Sequence, residues 1–329
     1  MPLMLIDQYA RRFTYLRLSV TEACNFRCNY CLPEGTDCDT ARRVQDLTLP
    51  EIRRLVTAFA QLGTRKIRIT GGEPSLRRDL PDIIATCKAV SGIEQVALTT
   101  NGYRLLQDLP AWKAAGLDAI NVSVDSLDAA RFEMITGHDK LQKTLKGLAL
   151  AEELGFSNIK INSVLMRGFN DDTLDDFFEF VRTRPLTVRF IELMQTGDNR
   201  EFFDRHHLSG TSIVERCLSR GWQERERPSH AGPAREFFHP AYRGGIGLIM
   251  PYSKDFCTTC NRLRVSSDGK LFLCLFADNH QNLRSFLQAD RHNGELLNYL
   301  KHNVSEKTVS HNLHQGYTGS TRQLAMIGG

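Results

Sequence analysis

From about residue 14 to residue 194, strand-like and helix-like stretches alternate, and this alternation restricts the fold more than any other feature. Strand candidates lie at 14–20, 66–70, 95–100, 119–124, 159–165 and 187–193. Amphipathic helical stripes run between them. The clearest starts at a Thr48 cap with Glu51 three residues on, then Ile52, Leu55, Val56, Phe59 and Leu62 before Gly63. A second stripe is Leu80, Ile83, Ile84 and Cys87, which makes Cys87 a core residue; a third is Leu141, Leu145 and Leu148, ending near Gly155. Repeated strand–helix units imply a parallel sheet, open or curled into a barrel. Six units fall short of the eight of a closed barrel, so the expected fold is α/β, an incomplete (β/α)6 barrel.

The strands add a second constraint. Strands covered on both faces read as continuous apolar runs, whereas these alternate. Leu16 and Leu18 oppose Arg17 and Ser19; Ile67 and Ile69 oppose Arg68 and Thr70. Ile120, Val122 and Val124 oppose Asn121, Ser123 and Asp125, while Ile159 and Ile161 oppose Lys160 and Asn162. Thr99 shares a face with Asn101. With the apolar faces against helices, the polar faces line an interior that is a binding cavity, not a packed core. Arg17, Arg68 and Lys160 place a cation on that face of three strands, with Arg189 a less regular fourth, and point to an anionic ligand. Solvated edge charge, or pairing with Asp125 and Glu192, is the plainer alternative. In the sixth strand Glu192 and Met194 share the parity of Val188 and Phe190, which leaves its facing open.

Cys24, Cys28 and Cys31 fall within eight residues, C-N-F-R-C-N-Y-C. Structural zinc takes four protein ligands, so this loop would need a distant fourth. A [4Fe–4S] cube also takes thiolates, and three of them leave one iron open for a substrate or cofactor. The stretch T-G-G-E-P, Thr70 to Pro74, and Tyr30 just before the last cysteine accompany the loop and favour the cluster. Residues 222–236 read as a solvated connection punctuated by Pro and Gly. Beyond it Cys257, Cys260 and Cys274 form C-x2-C-x13-C, again three thiols. Zinc with Cys217, Cys38 or His239 as fourth ligand competes here. The interleaved C-N-R-L-R favours a second cluster beside an anion: Arg262 and Arg264 project to one side of an extended segment, and guanidinium forks suit phosphate. Strand-like runs at 262–267 and 270–275 and a helical stretch near 282–302 complete this part.

An odd count of nine cysteines, grouped as metal-binding motifs, argues for metal over disulfides. A net charge of +4 is too small to argue for nucleic acid. No run reaches the length of a membrane span and the start lacks a secretion layout, so a cytoplasmic location is expected.

C-x3-C-x-Y-C followed by G-G-E-P resembles the radical S-adenosylmethionine superfamily. Within it, C-N-F-R-C-N-Y-C-L-P, T-G-G-E-P-S-L-R, T-T-N-G, N-V-S-V-D-S-L, R-F-I-E-L-M, F-C-x2-C-N-R-L-R and a terminal Gly-Gly resemble the GTP 3′,8-cyclase family over essentially the whole chain. The resemblance implies a lyase of molybdenum cofactor biosynthesis that cyclises GTP to (8S)-3′,8-cyclo-7,8-dihydroguanosine 5′-triphosphate. It implies two [4Fe–4S] clusters, on Cys24, Cys28, Cys31 and on Cys257, Cys260, Cys274. S-adenosylmethionine would be positioned by Tyr30, Gly72, Ser123 and Met194, and GTP by Arg17, Arg68, Thr99, Lys160, Arg262, Leu263 and Arg264. Residues 8–227 would be the radical core, a partial barrel; 228–329 would be an α+β extension carrying the second iron–sulfur cluster and substrate contacts, with a Gly-Gly tail (Gly328, Gly329) reaching the active site. An external electron donor, cyclic pyranopterin monophosphate synthase as the successor enzyme, and a monomeric or homodimeric state are further expectations; no acid–base residue is identified. Other readings are a different two-cluster radical enzyme, such as a peptide-modifying maturase, and a zinc-bearing nucleic-acid-binding protein.

Overall fold

The computed structural model describes residues 4–35, 45–226 and 232–319. Cys38, Gly328 and Gly329 lie outside them. The six expected strands are present as β1 (Tyr15–Ser19), β2 (Lys66–Thr70), β3 (Gln95–Thr100), β4 (Ala119–Ser123), β5 (Ile159–Leu165) and β6 (Thr187–Glu192). Each pairs in parallel with the next. The C-terminal half adds β7 (Gln223–Glu224), β8 (Arg235–Phe238), β9 (Gly245–Ile249), β10 (Arg262–Val265), β11 (Lys270–Phe272) and β12 (Gln281–Asn282). Among the described residues these twelve strands form one open sheet, in the order β12-β11-β10-β1-β2-β3-β4-β5-β6-β9-β8-β7. Thus β9 extends the parallel run beyond β6, β10 extends it beyond β1, and antiparallel pairs finish both edges. The C-terminal segment therefore supplies both ends of the same sheet.

Helices α1 (Leu49–Gln61), α2 (Leu80–Lys88), α3 (Leu105–Ala114), α4 (Ala129–Thr136), α5 (Leu141–Glu153) and α6 (Leu174–Thr183) fill the crossovers. The start of α1 is the expected capping box. Thr48 Oγ1 accepts from the Glu51 amide at 3.4 Å and the Glu51 carboxylate accepts from the Thr48 amide at 2.8 Å, satisfying N-terminal donors the helix cannot bond itself. Glu51 also pairs with Arg284 at 3.1 Å, so the same carboxylate pins the C-terminal segment to α1.

The apolar strand faces pack under these helices. Ile67, Ile69, Ile120, Val122 and Ile161 are fully buried, as are Ile52, Phe59, Ile84 and Trp112 opposite them. Each such side chain contributes about 1.5–3 kcal/mol of burial. Cys87 and Cys217 are fully buried in this core. The facing of β6 is settled by Phe190, which meets Phe177 of α6 edge to face at 5.5 Å. Glu192, on the same parity, sits at the strand's end and accepts from Ser209 Oγ at 3.2 Å and the Gly210 amide at 2.6 Å. Among the described residues no helix is long and apolar enough to cross a membrane.

Candidate active site

Two adjoining cavities lie against the polar face of the sheet. Cys24, Cys28, Cys31, Tyr30, Gly72 and Ser123 line one. Cys257, Cys260, Cys274, Arg17, Arg262 and Arg264 line the other, with Arg68 and Lys160. Asn162, Ile191 and Met194 line both.

The first cavity is built where loops leave the ends of β1, β2 and β3. The Gly72 amide donates to Thr21 O at 2.8 Å and the Glu73 amide to Ala23 O at 2.7 Å, which seats G-G-E-P against the entrance of the cysteine loop. A Cβ on Gly72 would lie 2.3 Å from Ala23 O and 2.5 Å from Glu22 O, so only glycine permits the approach. Glu73 is fully buried; it accepts from the Ser75 amide at 2.9 Å, Thr100 Oγ1 at 2.8 Å and the Asn101 amide at 2.6 Å. Asn101 in turn donates to Asn25 Oδ1 at 2.8 Å, beside Cys24. Tyr30 donates its hydroxyl to Asp125 at 3.0 Å, and Asp125 accepts from the Val164 amide at 2.8 Å. Burial pushes the Asp125 carboxyl up to about 6. Burial likewise raises the Cys24 thiol to about 11 and holds Cys28 well above its usual range. Thiols so protonated lose their protons on taking a metal.

The second cavity is cationic. In the strand register Arg17 stands opposite Arg68 on one side and Arg264 on the other. Like charges so placed repel. Tyr15 lies among them; its hydroxyl accepts from Arg68 Nε, and although burial opposes ionisation, Arg68, Arg17 and Lys66 bring it down to about 7. Burial lowers Arg17 to about 10, Arg264 well below its ordinary value, and Lys160, with help from Arg189, to about 7. Burial is the largest cause of the shifts at Arg17, Arg264 and Lys160, and neighbouring cations add to each, so the cavity gathers positive charge that suits an anion. At Cys260 burial works against ionisation, yet Arg262 and Lys307 prevail and lower the thiol to about 7.

Two expected substrate residues sit differently. Thr99 lines the first cavity and accepts from Arg68 at 3.2 Å, so it reaches the second through that guanidinium. The Leu263 side chain faces the core, 1% exposed, leaving its backbone as the part available to a ligand. Among the cavity residues that the sequence reading did not single out are Tyr15, Lys66, Arg11 and Lys307, and it did not pair Asp125 with Tyr30. Tyr15 and Lys66 share the parity of Arg17 and Arg68, a signal that could have found them. Arg11 could not be found so. It pairs with Asp7 at 2.6 Å and donates to the Cys257 carbonyl at 3.0 Å from a segment remote in sequence.

Each cavity thus offers three thiols. Among the described residues no three His, Cys, Asp or Glu side chains converge as ligands of a single ion would. A cubane asks for something else, since each thiolate takes a different iron corner. The donor chemistry of three thiols lining each cavity is of the kind a cluster takes.

Residues 18–181 match the Radical SAM superfamily and residues 186–313 match Molybdenum Cofactor Synthesis C. A GTP 3′,8-cyclase of Stenotrophomonas maltophilia is 56% identical over 325 residues, 99% of each chain. One of Pectobacterium atrosepticum is 51% identical over the same share of both chains. Among solved structures, Streptococcus suis SuiB bound to S-adenosylmethionine superposes with a TM-score of 0.60 at 12% identity, over 91% of this chain and 69% of its own, a likeness of fold. The chain belongs to the GTP 3′,8-cyclase family of the radical S-adenosylmethionine superfamily.

Proposed function

We propose that this chain cyclises GTP to 3′,8-cyclo-7,8-dihydroguanosine triphosphate, the first step of molybdenum cofactor biosynthesis. The observation that carries the reading is the pair of three-thiol cavities joined through Asn162, Ile191 and Met194, one glycine-walled and the other cationic. Cys24, Cys28 and Cys31 would hold one [4Fe–4S] cluster and Cys257, Cys260 and Cys274 a second. With S-adenosylmethionine bound, the first would supply a 5′-deoxyadenosyl radical. Tyr30, Gly72, Ser123 and Met194 would seat that cofactor. Arg17, Arg68, Lys160, Arg262 and Arg264 would bind the triphosphate, with Thr99 holding Arg68 and Leu263 contributing backbone. Holding both ends of the nucleotide, the triphosphate at these cations and the guanine beside the second cluster, would restrict its ribose, a proximity effect of several kcal/mol.

Arginines from β10, β1 and β2 share one cavity with Lys160 of β5 and Arg189 of β6, which supports a sheet curled into a partial barrel. Residues 8–227 serve as its radical core and 228–329 as the substrate- and cluster-binding extension. The Gly319 backbone packs so closely on the Phe276 carbonyl that a Cβ would lie 2.2 Å from it, so the last described residue borders the lining of the cationic cavity. An external reductant and cyclic pyranopterin monophosphate synthase complete the reaction sequence. The test is anaerobic reconstitution with iron and sulfide, then incubation with GTP, S-adenosylmethionine and reductant. Formation of 5′-deoxyadenosine together with the cyclised nucleotide is expected; cofactor cleavage with GTP recovered intact would refute the reading.

A further inference from the structure

The cations assigned to the triphosphate give the protons of the ribose hydroxyls no acceptor. Arg17, Arg68, Lys160, Arg262 and Arg264 carry only donors. A sugar hydroxyl brings its own proton and needs an acceptor. Asn121 of β4 and Asn162 of β5 supply that chemistry on the same polar face. In register Asn121 stands opposite Lys160, while Asn162 stands between Ser123 and Arg189. One asparagine therefore adjoins a triphosphate residue and the other a cofactor residue. Both line the cationic cavity, and Asn162 lines the cofactor cavity as well. Asn121 is 5% exposed. The Oδ1 atoms of both are buried and have no hydrogen-bond partner among the described residues. Native folds rarely leave buried amide oxygens unpaired, so a missing ligand is the natural explanation.

We propose that Asn121 and Asn162 form a ribose-recognition site at the junction of the two cavities, accepting hydrogen bonds from the 2′- and 3′-hydroxyls. This rests on the nucleotide occupying the cationic cavity, as argued above. A triphosphate has no donors to offer these oxygens. The sugar must lie at the junction if its 3′ hydrogen is to face the cofactor cavity, and amides both accept from and donate to hydroxyls without titrating. The pair would thus select ribonucleotide over deoxyribonucleotide and set the pose of C3′.

The test measures dissociation constants of the reconstituted holoenzyme for GTP, 2′-deoxy-GTP and 3′-deoxy-GTP, in wild type and in Asn121→Ala, Asn162→Ala and Asn162→Ser. Wild type should bind at least one deoxy analogue about tenfold or more weakly than GTP, since a site built for a hydroxyl penalises its loss. The alanine variants should bind GTP no better than that analogue, with the analogue's own constant nearly unchanged. Iron content checks that each variant is loaded. Equal wild-type affinity for all three nucleotides overturns the proposal without recourse to any variant. So does equal weakening of all three in both alanine variants. A wild type that binds and cyclises GTP but ignores both hydroxyls sinks only this inference; one that does not bind GTP sinks the functional reading itself.

Discussion

Arg17 and Arg264 face each other across the pairing of β1 with β10, bringing two guanidinium side chains from opposite ends of the chain into one cavity. An anion held beside them would offset the repulsion between like charges. Replacing Arg262 or Arg264 by Ala should weaken GTP binding by about 1.5–3 kcal/mol while changing guanosine binding little, because each loses a charge-assisted contact to phosphate. Parallel titrations of the two ligands check this, and equal losses for both would place the arginines away from the phosphates.

Lys160 gives the binding a pH dependence. Burial and Arg189 hold its ammonium down to about 7 in the free protein. The charged form binds phosphate, so affinity for the triphosphate should be highest below pH 7 and fall as pH rises through that value, the bound anion carrying the transition upward. Lys160→Met should make this profile shallower, leaving the titrations of Tyr15, Lys66 and the nucleotide itself. Isothermal titrations between pH 6 and pH 9 compare the two proteins.

Gly72→Ala should raise the dissociation constant for S-adenosylmethionine about tenfold or more, because displacing a close-packed turn misplaces what it holds. The added methyl would have to push away the carbonyls of Ala23 and Glu22. Equilibrium dialysis with the reconstituted enzyme measures it, and an unchanged constant would show that the turn does not contact the cofactor.

Much of this site was legible because strand parity survives in the sequence. Arg17, Arg68, Ser123 and Lys160 were placed on the polar face by alternation alone, and the Thr48–Glu51 capping box is as its residues specify. Pairing was not legible. Nothing in the local periodicity of residues 245–249 or 262–265 says that these strands join β6 and β1, since partner choice depends on tertiary packing. The same limit hid the Arg11 contact with the Cys257 loop. Glu192 misled parity for a different reason: at the end of a strand, hydrogen bonds from Ser209 and Gly210 replace apolar packing.

Replacing any one of Cys24, Cys28 and Cys31 by Ala should abolish 5′-deoxyadenosine formation, because the cluster that presents the cofactor is lost. Cys274→Ala should retain the first cluster's spectroscopic signature, lose about half of the bound iron and abolish cyclisation. Iron analysis with electron paramagnetic resonance distinguishes the two sets. Full cyclisation by Cys274→Ala would remove the second triad from the account.

The most direct test of the whole account uses GTP carrying deuterium at C3′ of the ribose. If the nucleotide lies across the two cavities with its 3′ hydrogen toward the cofactor, turnover should place one deuterium in 5′-deoxyadenosine and none should remain at C3′ of the cyclised product. Unlabelled 5′-deoxyadenosine, formed at the same rate as the product, would contradict it.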